Sequence, residues 1–106
     1  MRTARLLLAL LATAVMADRA AAQASDPYLA QTLTTAAGFC PLGWADMKGQ
    51  TLQIADYTEL FSLIGTAYGG NGVSTFALPL AKPLFTANGV PLRQCIALEG
   101  IFPAQN

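Results

Sequence analysis

The chemistry open to this 106-residue chain is bounded by two cysteines, one close pair of carboxylates and no histidine at all. Without an imidazole the commonest general base and the commonest metal ligand are both missing. Ser-His-Asp and Cys-His catalysis go with them. Two thiols without a histidine are also too few to close a zinc site. Asp56 and Glu59 stand three residues apart, a spacing that suits the first turn of a helix better than acid–base work. Tyr68-Gly69-Gly70-Asn71-Gly72 has the glycines of a phosphate loop but not the Lys-Ser/Thr that should follow. It also comes after a helical pattern rather than before one. A weak calcium site from Asn71 and backbone carbonyls would lack the acidic ligands that make such sites tight. No catalytic residue, no metal ligand and no cofactor is therefore assigned.

Binding needs less than catalysis. Trp44, the only tryptophan, could be a stacking platform for a sugar or a partner, or the aromatic lid of a small core. The core reading is the one expected. Tyr57, Tyr68 and Asn71 join Trp44 as the residues a glycan or host-surface site would use. A rigid loop at Gly69–Ser74 would be the inhibitory element if the chain blocked an enzyme.

The elements that must hold these residues begin after a leader. Arg2 and Arg5 precede an apolar run over Leu6–Ala17, and Ala22-Gln23-Ala24 forms a small-x-small site, the pattern of a secretory signal peptide. The run is shorter than the roughly 20 residues a bilayer span needs. Residues 1–24 are thus read as a signal peptide and residues 25–106 as one small domain, secreted or periplasmic. That domain carries Lys48, Lys82 and Arg93 against Asp26, Asp46, Asp56, Glu59 and Glu99, a net charge of −2. Nothing there resembles the basic footprint that nucleic acid or an anionic membrane requires. A chain this short buries only about 60–65% of its unfolded surface, so a covalent staple or a partner subunit is expected. In an oxidising compartment Cys40 and Cys95 would close a loop of about 56 residues, restricting the unfolded chain by about 4 kcal/mol. Two free buried thiols, or a bridge between chains, are the alternatives.

Within the domain, Asp56–Pro79 is the organising stretch. Tyr57, Leu60, Phe61, Ile64 and Tyr68 fall on one helix face, with Asp56 as N-cap, Glu59 completing a capping box and Gly65 as the stop. Ser74–Leu78 then reads as a strand closed by Pro79. Before the helix, Tyr28–Thr35 and Thr51–Ile54 read as strands, with a turn-like Ala36–Gly43 and a tight turn at Lys48-Gly49 between them. After it, Leu84–Ala87 and Val90–Arg93 flank Asn88-Gly89, a two-residue hairpin signal, and Pro91 marks the second arm as an edge. Gln94–Phe102 is apolar on both faces, as a central or helix-covered strand would be. That strand is expected to lie under the helix or in an interface between copies.

Three blocks also carry a family resemblance. Phe39-Cys40-Pro41-Leu42-Gly43-Trp44 with Gly49-Gln50, then Glu59–Pro79, then Cys95–Pro103 together resemble the phage tail collar domain and its microcystin-dependent protein-like bacterial members. The likeness covers most of Pro27–Asn106. It implies a small α+β domain, one short helix packed on a few short strands. It also implies a bacterial, non-enzymatic structural or interaction module of adhesion or surface assembly. The implied partners are a protein or surface glycan and a homo-oligomer, a trimer in the phage examples. A small extracellular module that binds glycans or a host surface is the alternative. The sequence departs from the family where Met47-Lys48-Gly49 replaces the usual Cys-Asp-Gly and where Leu80-Ala81-Lys82-Pro83 replaces Asp-Leu-Arg-Gly. Functional roles of those family residues are not carried over.

Overall fold

The computed structural model describes residues 26–105, so the signal-peptide expectation for residues 1–24 lies outside the described residues. Six strands and one helix follow in order: β1 (Thr32–Thr35), β2 (Trp44–Asp46), β3 (Thr51–Gln53), α1 (Thr58–Ile64), β4 (Thr75–Ala77), β5 (Leu84–Phe85) and β6 (Pro91–Ala97). A 3-10 turn, Ile54–Asp56, leads into α1. This is the α+β class expected, with a helix and short antiparallel strands.

β6 is the centre. β1 pairs antiparallel along one edge and β2 along the other, while β5 pairs with its first residues. β3 and β4 form a separate two-stranded sheet. Backbone bonds from Gly49 to Pro79, Leu78 to Gln50 and Ala81 to Met47 lace the two sheets together. The first and last described segments are tied as well: Leu29 N–H donates to Ile101 O at 2.8 Å, and Ile101 N–H to Pro27 O at 2.9 Å.

Leu29, Leu60, Phe76, Leu78 and Ile96 form the core. Leu60 supplies it from α1, Phe76 from β4 and Ile96 from β6. The spacing of apolar residues in α1 explains the packing: Leu60 is buried, and Phe61 and Ile64 cover the cluster beside it. The Phe61 and Phe76 rings meet at 5.5 Å with their planes tilted by 58°, a favourable aromatic arrangement.

Four expectations need correction. The first strand starts at Thr32, because Tyr28–Gln31 is a turn closed by Gln31 N–H donating to Tyr28 O, with Ala30 at φ 68°. Asp56 does not cap the helix, and Glu59 completes no capping box. The chain enters α1 from the 3-10 turn, so Tyr57 occupies the cap position and no side chain bonds there. The hairpin loop has three residues rather than two: Thr86 N–H donates to Val90 O, and Gly89 N–H to Thr86 O, with only Gly89 at positive φ. That is a turn followed by a left-handed glycine, the next commonest hairpin. Finally, the arm after it is no separate edge strand, although its first residues, Pro91 and Leu92, are paired on one side alone. Pro91 opens β6, where only β5 faces it, and the strand runs on into the middle of the sheet to end at Ala97. The central position expected for the last strand, Gln94–Phe102, holds as far as Ala97; beyond it the chain bends away and only Ile101 bridges, to Tyr28. Gly65 ends α1 as expected, at φ 52° with its N–H on Phe61 O.

Candidate functional site

The main sheet has two unlike faces. Pairing places Ala45 beside Ile96 on the core side. Leu33, Cys95 and Asp46 align on the opposite side, with Trp44 next along β2. Cys40 reaches this second face from the loop before β2 and is bonded to Cys95, S–S 2.00 Å with Cα atoms 5.9 Å apart. The bond therefore pins the Ala36–Gly43 loop onto the central strand. Cys95 is fully buried.

Asp46 sits beside the disulfide, its Oδ1 3.6 Å from Cys40 Sγ, and accepts from Arg93 Nη1 at 2.7 Å. Cys40, Asp46 and Cys95 are close enough together to suggest a metal site. The sulfurs are consumed by each other, however, and the carboxylate oxygen by Arg93, so the donor set does not suit a cation.

Two clefts open on the described residues. The first, about 430 Å³, lies between the Ala36–Gly38 loop, the Asp46–Lys48 end of β2, Ala81, Pro83 and the Pro91–Gln94 half of β6. It contains Arg93, Lys48 and Asp46. The second, about 280 Å³, lies against the start of α1 and is lined by Asp56, Glu59, Glu99, Tyr57 and Leu60 among others, with no basic residue.

The four residues singled out for binding are not gathered by the fold. Trp44 is half-buried on the sheet face away from the core, so it is not the core's lid. Tyr57 packs against the core and borders the acidic cleft. Tyr68 stands exposed after α1. Asn71 works within its own loop: its Oδ1 accepts from Val73, Ser74 and Thr75 N–H at 2.8, 2.9 and 3.0 Å. With three donors on one oxygen, it has little left for a calcium ion. The glycines beside it serve close approach, since a Cβ on Gly70 would lie 2.3 Å from Phe76 Cα.

The basic cleft was not foreseen. Lys48 and Arg93 lie far apart in the chain, and only the pairing of β2 with β6 unites them. A usable hint was the scarcity of cations, three in the whole domain.

Among known proteins, no curated protein and no solved structure matches the chain. A family model, the Phage Tail Collar Domain, matches residues 30–85. That stretch runs from the Ala30 turn through β5 and so takes in α1, the glycine loop and both strands of the small sheet. It covers more than half of the sequence, and the chain belongs to the phage tail collar domain family.

Proposed function

We propose that this protein is an exported, stand-alone structural and interaction module of the tail-collar type, working in surface assembly or adhesion and performing no catalysis. The observation that carries the proposal is membership of a structural family of phage tails. Two features of the molecule support it. Phe39 and Leu42 stand 73% and 102% exposed on the one loop that the disulfide pins to β6, a fixed place at which another molecule could dock. The disulfide suits an oxidising compartment outside the cytoplasm.

Self-association into a closed homo-oligomer, a trimer by the family's habit, is the form of assembly proposed. Light scattering on the oxidised protein tests it, with a trimer mass expected at micromolar concentration. A sharp monomer at every concentration would remove the self-assembly role. The export half is tested separately by the N-terminus of protein recovered from a bacterial host, expected to begin at Ser25. Recovery of intact Met1 in the cytoplasm alone would overturn it.

A further inference from the structure

The geometry points to a ligand site that does not depend on the assembly role: the basic cleft binds a carboxylate carried on a small apolar stem. Charge is segregated across the described residues. Lys48 and Arg93 line this cleft, and Lys82 lies between two of its lining residues, Ala81 and Pro83. Asp56, Glu59 and Glu99 border the other cleft instead. With Asp46 against Lys48 and Arg93 the first cleft is net positive while the second is acidic, so an anion favours the first.

Arg93 is prepared for such a ligand. Nη1 is held by Asp46 at 2.7 Å, which fixes the guanidinium against β2. Nε is buried and has no partner, a costly state for a donor. With Nη1 on Asp46 and Nε buried, Nη2 is the nitrogen left to meet a ligand in the cleft, and a carboxylate there gains a charge-assisted hydrogen bond.

Counting charge fixes the class of anion. Asp46 cancels Arg93, leaving Lys48 as the net charge of the lining, so a single negative charge is balanced and a phosphate dianion is not. Apart from Gln94, the rest of the wall is non-polar, with Ala36, Met47, Ala81, Pro83 and Leu92 among its residues, and offers apolar contact to a stem. A volume of about 430 Å³ is room for the last residues of a peptide with small apolar side chains.

The test is an amide NMR titration of the full, oxidised chain with N-acetyl-Ala-Ala, its C-terminal amide, glucuronate and methyl glucoside. Saturable shifts at residues 36–38, 46–48 and 92–94 are expected with the carboxylates and not with their neutral counterparts. Tighter binding of the dipeptide than of glucuronate is expected, and the reverse order would overturn the apolar stem. Arg93→Lys, which keeps the charge but loses the fork, should weaken binding roughly tenfold. Lys48→Gln, at an exposed residue outside the ion pair, should weaken it several-fold and flatten the salt dependence. Should Arg93→Lys fail to fold, the Lys48→Gln titration decides. Equal shifts with the neutral probes, shifts centred on the acidic cleft, no shifts at millimolar probe, or affinity unchanged by the substitutions would each overturn the site.

Discussion

Two backbone positions show how single residues hold this fold. Ala30 adopts φ 68° in the turn before β1, a left-handed conformation that costs an L-residue about 1–2 kcal/mol. Glycine would escape that cost while losing about 0.5–1 kcal/mol to greater freedom when unfolded. Ala30→Gly should therefore stabilise the protein slightly, raising Tm by about 2–5 °C in a calorimetric scan, whereas a β-branched residue there should lower it. Gly70 is the opposite case. Its φ is 93°, and a methyl group would strike the Phe76 backbone at 2.3 Å and Thr75 O at 2.7 Å. Gly70→Ala should cost at least about 2 kcal/mol in urea unfolding. Gly38→Ala, with nothing within 4 Å, should change stability by less than about 1 kcal/mol. Equal effects from the two substitutions would refute the close approach of the glycine loop to β4.

At the scale of elements, α1 is held by packing more than by its own ends. It has seven residues, no side-chain cap and one fully buried side chain, Leu60, at 1% exposure. So short a helix does not persist alone in water. Leu60→Ala should cost about 2–5 kcal/mol and melt the helix with the rest of the domain, seen as loss of helical circular dichroism in the same transition as tertiary signal. The helix itself was legible in the sequence because the spacing of Leu60, Phe61 and Ile64 is a local pattern, and Gly65 supplied the stop. Its cap was not legible, because whether Asp56 can reach the first turn depends on the 3-10 turn before it. The strand at 75–77 and the burial of the last strand were readable from composition. The turn at Ala30 was hidden, since alanine gives no sign of positive φ. Among candidate residues, the Cys40–Cys95 pairing was one of three readings the sequence left open, and the fold decides it by bringing the two Cα atoms to 5.9 Å. The meeting of Arg93, Asp46 and Lys48 depends on the register of β2 against β6 and left no local trace.

For the molecule as a whole, the disulfide is the longest covalent constraint, joining residues 55 apart. Opening it frees the unfolded chain by about 4 kcal/mol on the chain-entropy model, comparable with the entire stability expected of a domain this size. Reduction, or the Cys40→Ser/Cys95→Ser pair, should leave a protein largely unfolded near 37 °C, as judged by thermal melts with and without reductant. An unchanged melting point would show that the two sheets suffice. The topology has a further consequence. β1 and β2 do not pair with each other; each finds its strand partner only in β6, the last strand of the described residues. A ribosome making this protein therefore releases its early strands with nothing to pair to, and the main sheet can assemble only once residue 97 has cleared the exit tunnel. Closure of the main sheet waits on β6, which leaves β1 and β2 unpaired and threadable until that strand arrives.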